Sequence, residues 1–401
     1  MTKINQQACT PLSFGEGLGV RKIAFLTPEY PHPKTGHSGG IGTSIRNLAL
    51  ALVAQNTKVR ILVYGQKEDA FFDDKGIYIQ QIKNIKIKGF SWWFTQKKIQ
   101  KIINTLYQTN QIDLVEAPDW TGITSFITPK KCPIIIRLHG SDTYFCHLDE
   151  RKVKVLNKFH EKRALQKADA LLSVSQFTAN LTNAVFGLNK KFTIIPNGID
   201  TDFFAPSLSD SSSKNGVILY FGSLIRKKGL LELPLIFNQL IEKNPEAQLV
   251  LIGKDVPDIL TGGLSTWQLM QELFSEKAKS RVEYLGSIPF LEIKSKIEKA
   301  SVCVFPSFAE AFPVSWLEAM AMAKPIVASN IGWANEMIVD GQSGFLVHPK
   351  NHQEFADKIN HLLTNNELRN QISNQARNRV VAVFDNKKIA TINLEFYNKL
   401  I

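Results

Sequence analysis

The densest concentration of reactive groups runs Pro306-Ser307-Phe308-Ala309-Glu310-Ala311-Phe312-Pro313-Val314-Ser315-Trp316-Leu317-Glu318, following a buried strand and opening a helix. Proline suits the first helical position, where its missing N–H costs nothing, so Pro313 is expected there. Val314 and Ser315 then present unpaired amides at the positive end of the helix, a seat for a diphosphate. Glu310 in the loop and Glu318, about one and a half turns into the helix, can each grip a pair of hydroxyls, one on a sugar and one on a ribose. The plainer alternative is a surface acid ahead of a helix and another on its solvent face.

Three further constellations sit where strands end. Phe221-Gly222-Ser223-Leu224-Ile225-Arg226-Lys227-Lys228-Gly229 follows a strand and gathers three cations, which on their own also read as a solvated basic turn. Gly36-His37-Ser38-Gly39-Gly40-Ile41-Gly42 lets the backbone approach a phosphate and leaves N–H groups free at a helix start, although many glycine-rich loops are only turns. Arg137-Leu138-His139-Gly140-Ser141-Asp142 offers His139, although a lone histidine is more often structural, and Asp142 as an acceptor-side candidate. Glu116 and Asp119, in Val115-Glu116-Ala117-Pro118-Asp119-Trp120, are further candidates to line an acceptor cleft.

The elements that must position these groups alternate. Strands are expected at 22–27 and 59–63 and in runs ending at Glu116, Gly140, Ser175 and Pro196, with a helix through Ile45, Leu48, Ala49, Leu52 and Val53. A second series starts at Val217 and continues through strands at 248–252, 282–285, 302–305, 325–328 and 345–347. Helices follow at 355–363, 368–381 and 390–400. Such alternation predicts two parallel sheets covered by helices. A length of 401 residues suits two domains, because single cores stop growing near about 250 residues. The expected division is a loose tail over 1–20, a first domain over 21–206, a polar linker over 207–214, a second domain over 215–384 and a C-terminal helix over 385–401 packing back on the first domain. Ligands bind outside the carboxyl ends of such strands, so both sheets can aim loops into one cleft.

Bulk properties narrow the classes. The net charge of +12 favours polyanions, anionic headgroups or phosphate-bearing substrates. No nucleic-acid-binding signature accompanies it. Cys9, Cys132, Cys146 and Cys303 lack CxxC spacing, which argues against a disulfide framework or a zinc site. No apolar run reaches the roughly 20 residues that span a bilayer, and residues 1–20 do not read as a signal peptide, so a cytoplasmic location is expected. Between 83 and 101, Lys83, Lys86, Lys88, Lys97, Lys98 and Lys101 are mixed with Phe90, Trp92, Trp93 and Phe94. This stretch is either a helix with its rings in the core or a peripheral contact with the inner face of a membrane.

The Glu310-x7-Glu318 loop and helix resemble the donor-binding motif of the retaining glycosyltransferases of family 4, and the resemblance extends over residues 22–401. It implies a GT-B fold, two Rossmann-like domains facing across a cleft, with no metal or cofactor and a UDP-, GDP- or ADP-sugar donor held mainly by the second domain. It assigns Glu310 to the donor sugar, Glu318 to the ribose, and Phe312, Pro313, Val314 and Ser315 to the sugar and phosphates. Lys228 falls on the family's diphosphate lysine, Gly39 and Gly40 on its first-domain loop, and His139 on a sugar-contacting histidine. The chain departs from the pattern in two segments, the first of them Ala311-Phe312-Pro313 where the family commonly has Gly-Phe-Gly. Pro313 replaces a glycine and cannot donate a backbone hydrogen bond, and Ser223 occupies an arginine position whose charge Arg226 is a candidate to supply. The implied activity is transfer of a hexose-type sugar to a saccharide or lipid-linked acceptor, in envelope or extracellular polysaccharide synthesis. The rivals are a GT-B-shaped nucleotide-sugar epimerase, a dinucleotide oxidoreductase, which lacks the Gly-x-Gly-x-x-Gly signature, and a membrane-surface protein that has lost catalysis.

Overall fold

The structure is a computed structural model that describes residues 20–36, 38–207 and 216–401. The expected tail and linker, and Cys9, lie outside the described residues apart from their edge positions. The first sheet is built from β1 (Lys22–Thr27), β2 (Lys58–Gln66), β3 (Ala70–Asp74), β4 (Ile77–Lys83), β5 (Leu114–Pro118), β6 (Ile134–Leu138), β7 (Ala170–Ser173) and β8 (Thr193–Ile194). Its order is β3-β4-β2-β1-β5-β6-β7-β8, parallel except where β3 runs against β4. β1 lies between β2 and β5, with Ile23 opposite Val59 on one side and Leu114 on the other. Helices cover both faces of a parallel sheet, so Ile23, Ala24, Phe25 and Leu26 are all buried.

The hairpin of β3 and β4 was not among the expected strands. In Ile77-Tyr78-Ile79-Gln80-Gln81-Ile82 two amides interrupt the apolar run, yet all six residues are buried. Their polar groups are matched internally: Arg60 donates to Gln80 Oε1, and Gln81 donates to the Lys34 carbonyl.

The second domain holds a parallel sheet of β9 (Val217–Phe221), β10 (Gln248–Ile252), β13 (Val282–Tyr284), β14 (Val302–Phe305), β15 (Ile326–Ser329) and β16 (Phe345–Val347) in the order β13-β10-β9-β14-β15-β16. A two-residue ribbon, β11 (Pro257–Asp258) and β12 (Leu264–Ser265), stands beside it. The helix Asn386–Asn398 returns to the first domain, where Ile389, Ala390 and Tyr397 join the core around Phe25, Leu52 and Val59. Each large apolar side chain buried this way contributes about 1.5–3 kcal/mol relative to an exposed one.

The strand orders decide where ligands can bind. In the first sheet the order turns back between β1 and β5, and in the second between β9 and β14. Crevices open at such switch points, at the carboxyl ends of the strands. The loops that leave these four strands carry the glycine-rich segment, Asp119, the Arg226-Lys227-Lys228 turn and the Glu310 loop. The topology therefore gathers at two places the residues that the sequence spreads over 280 positions (39 to 318).

Candidate active site

In the second domain two loops interlock. Gly229 lies in the left-handed region (φ 71°), and a Cβ there would come within 1.8 Å of the Pro306 carbonyl oxygen. Phe308 and Ala309 donate their backbone N–H groups to the Lys227 carbonyl at 2.8 and 3.2 Å. Close backbone contact thus fixes the 226–229 turn against the start of the Glu310 loop. The result is an ion pair: Lys228 Nζ lies 3.1 Å from Glu310 Oε1, with both side chains largely but not wholly buried.

Glu318 is buried within reach of the Lys228 charge. Burial pushes its carboxyl up to about 7, and the nearby Lys228 charge opposes that rise. It occupies the helix Val314–Ala321, of which every residue but Ser315 is buried. Pro313 is not the first helical residue as expected but the extended residue capping the helix (φ −70°, ψ 122°). The first free amides therefore still belong to Val314 and Ser315. Ser223 borders Gly222, and its carbonyl accepts from Tyr220 Oη at 2.9 Å. Arg226 does not take up the missing charge in an unpaired form. Its Nε and Nη2 each donate to the Asp258 carboxylate, on β11, at 2.8 Å.

The first domain grips the same loop from across the cleft. Tyr144 Oη donates to the Glu310 carbonyl at 2.7 Å, Ser175 and Thr178 hydroxyls to the Ala311 carbonyl at 3.3 Å, and Asn197 Nδ2 to the Phe312 carbonyl at 2.9 Å. Asn197 is held in turn by the Ser44 hydroxyl at 2.7 Å. Lys227 completes the contact with its ammonium 3.4 Å from the centre of the Phe145 ring. Gly39 caps the helix Gly40–Ala54, and both Gly39 and Gly40 are exposed. One amide of that helix start is taken, since Gly42 N–H donates to Glu29 Oε1 at 2.9 Å.

The remaining predicted residues divide. His139 and Asp119 meet: the His139 backbone N–H donates to Asp119 Oδ1 at 2.8 Å. Burial and the Arg137 charge push the His139 imidazole down to about 3, so near neutral pH it is an uncharged hydrogen-bonding group. Burial pushes Asp119 up to about 7, and its Oδ2 has no hydrogen-bond partner among the described residues. Asp142 turns toward the helix Val155–Lys167, where its Oδ2 accepts from Asn157 at 2.8 Å. Glu116 does not join this group. Its carboxylate is fully buried, pairs with Arg137 at 2.7 and 3.0 Å, and accepts from Tyr397 at 2.7 Å. It fastens the C-terminal helix, in place of the expected part in an acceptor cleft.

Residues 206–379 match the family described as glycosyl transferases group 1, and residues 38–203 match glycosyltransferase family 4. The chain belongs to these GT-B glycosyltransferases. Among curated relatives, the enzyme is 24% identical to an uncharacterized glycosyltransferase of Methanocaldococcus jannaschii over 89% of its own length and 93% of the relative's. It is 26% identical to the D-inositol 3-phosphate glycosyltransferase of Paenarthrobacter aurescens, over 94% and 98%. Its fold is that of sucrose-phosphate synthase from Thermosynechococcus elongatus, with a TM-score of 0.75 at 21% identity over 95% and 99% of the two chains. Anabaena HepE in complex with UDP-glucose gives 0.72 at 22% identity, over 94% and 99%.

Several residues that build this glycosyltransferase's cleft escape sequence reasoning. Glu336, from the second domain, accepts from the backbone N–H groups of Gln176 and Phe177 at 2.7 and 2.8 Å, so it caps a first-domain helix. Glu29, Tyr144 and Ser44 carry no motif. Only Asn197, in a Pro196-Asn197-Gly198 turn, had a local signal, and that signal pointed to a turn and not to a domain contact.

Proposed function

We propose that the enzyme is a retaining glycosyltransferase that moves a hexose-type sugar from a nucleoside-diphosphate donor to a saccharide or lipid-linked acceptor, in envelope or extracellular polysaccharide synthesis. The observation that carries this reading is the Lys228–Glu310 pair near the head of the Val314 helix, whose buried Glu318 feels the Lys228 charge. An arriving diphosphate competes with Glu310 for Lys228 and meets the amides of Val314 and Ser315, which stabilise the leaving group as the glycosidic bond breaks. Glu310, released from part of its ion pair, accepts from sugar hydroxyls, and Glu318 accepts from the ribose. A double displacement needs a carboxylate close beneath the anomeric carbon. With Glu310 and Glu318 given to hydroxyl binding, attack on the face of departure is favoured, and the leaving phosphate takes the acceptor's proton. The grip of Tyr144, Ser175, Thr178 and Asn197 on three successive carbonyls supports a closed cleft that excludes water. The likeness to a protein that binds UDP-glucose favours UDP among the donors.

The test begins with thermal shifts against UDP, GDP and ADP, since a ligand that binds only the folded state raises the melting temperature. The best nucleotide is expected to bind Glu318→Ala at least about tenfold more weakly by calorimetry, and Lys228→Ala to lose more than about tenfold in turnover. The anomeric configuration of the product, read by NMR, tests retention. Three nucleotides without a shift, or an unchanged affinity in Glu318→Ala, would remove the donor site from this helix.

A further inference from the structure

The first domain turns two groups of apolar side chains to solvent. Phe90 (62% exposed) and Trp93 (43%) stand at the start of the helix Ser91–Gln108, and Val155 (82%), Leu156 (71%) and Phe159 (50%) at the start of the helix Val155–Lys167. The two groups form one surface. Trp92 lies 6.5 Å from His160 between ring centroids, His160 lies 5.7 Å from Phe126, and Phe126 lies 6.4 Å from Phe159.

Charge on this surface is predominantly positive. Between Asp74 and Asp113 the chain has no acid and carries Lys75, Lys83, Lys86, Lys88, Lys97, Lys98 and Lys101. From 151 to 167 it carries Arg151, Lys152, Lys154, Lys158, Lys162, Arg163 and Lys167 against one acid, Glu161. That acid faces inward. It is fully buried and accepts from the backbone N–H groups of Thr121, Asp142 and Thr143. Lys98 and Arg151 are paired with Asp69 and Asp149. Lys86, Lys88, Lys101, Lys154 and Lys158 are exposed around the rings.

We propose that this face docks on a bilayer surface rich in anionic lipid. Lysines are drawn to acidic headgroups, and rings and aliphatic chains among them enter the boundary between headgroups and acyl chains. Val155 and Leu156 decide for a bilayer over nucleic acid, because exposed aliphatic chains neither stack on bases nor pair with phosphates. The consequence for the cleft follows from the same helix: Asn157 holds Asp142, and Tyr144, one half-turn on, reaches the Glu310 loop. A docked molecule brings the first-domain side of its cleft close to the headgroups, where a lipid-linked acceptor would enter. The docking goes beyond the sugar-transfer reading and does not require it.

Flotation of the full chain with vesicles tests this. Binding is expected to equimolar phosphatidylcholine and phosphatidylglycerol, to fall with salt, and to be weak on phosphatidylcholine alone. The variant F90S/L156S/F159S and the variant K86E/K88E/K158E are each expected to partition about tenfold or more less well. Their melting temperatures and nucleotide-induced shifts should stay those of the parent, since the changed side chains are exposed and lie outside the donor site. If the triple serine variant melts early, the single variants L156S and F159S serve in its place with a smaller expected loss. A parent that stays behind in the gradient overturns the proposal. So does undiminished flotation of the serine variants, or single-stranded RNA that binds the parent while anionic vesicles do not.

Discussion

Glu318 occupies a place where ionisation is unfavourable, and this has a measurable sign. Its folded-state value near 7 exceeds the 4.5 of an exposed glutamate because burial disfavours the charge. The folded chain therefore binds this proton more tightly than the unfolded chain. The associated stability is present below pH 4.5 and is lost as pH rises through about 7. Glu318→Gln keeps the shape without the charge. It is expected to match the parent near pH 4.5 and to exceed it at pH 8 by up to about 3 kcal/mol, as urea unfolding across this range would show. Asp119 titrates over a similar range in both proteins, so the difference between them isolates Glu318. Parallel stability curves would mean that Glu318 is already ionised. The same residue shows how far a sequence can be read: the Glu-x7-Glu spacing picked it out, but not that its carboxyl is buried.

At the scale of elements, the C-terminal helix is a latch built on one buried ion pair. Arg137 is held by Glu116, donates to the Ile195 carbonyl at 3.1 Å and also donates to Asn393 on the helix. Tyr397 closes the set on Glu116. Tyr397→Phe should cost about 1–3 kcal/mol, because a carboxylate oxygen out of reach of water loses a donor. Arg137→Met should cost about 3–5 kcal/mol, because Glu116 is left buried and unpaired. Both are read from urea midpoints, and Tyr397→Phe unfolding like the parent would show that the latch does not depend on this bond. Sequence reasoning placed the helix on the first domain but gave Glu116 to the acceptor. An acid at a strand's carboxyl end looks the same from either side, and only packing tells which face of β5 it leaves by.

For the whole molecule, the two domains meet through backbone carbonyls as much as side chains. Asn197 spans the join, with Ser44 on one side and the Phe312 carbonyl on the other. Asn197→Asp puts a carboxylate where an N–H donor stood, facing that carbonyl. The domains should then close less readily. Solution scattering is expected to give a larger radius of gyration, and the KM for the donor to rise about ten- to a hundredfold, since small misplacements of a binding group are costly. An unchanged KM and an unchanged scattering profile would show that closure does not rest on this bond.

The sequence by itself determined the two-domain α/β pattern and the strands of both main sheets apart from β3 and β4, and it picked out Glu310, Glu318, Lys228, Val314 and Ser315 as the candidate donor-side set. These were legible because apolar periodicity and helix-opening chemistry act over a few residues. Tertiary structure alone decided which charges are already balanced and which groups meet across the cleft. Arg226 is bound to Asp258, 32 positions away, and Glu336 caps a helix 160 positions before it. Coulomb energy and hydrogen bonding depend on distance in space and on access to water, and neither is encoded in spacing along a chain. The β3–β4 hairpin stayed hidden for the same reason, since Gln80 and Gln81 are tolerable inside only because Arg60 and the Lys34 carbonyl are there to receive them.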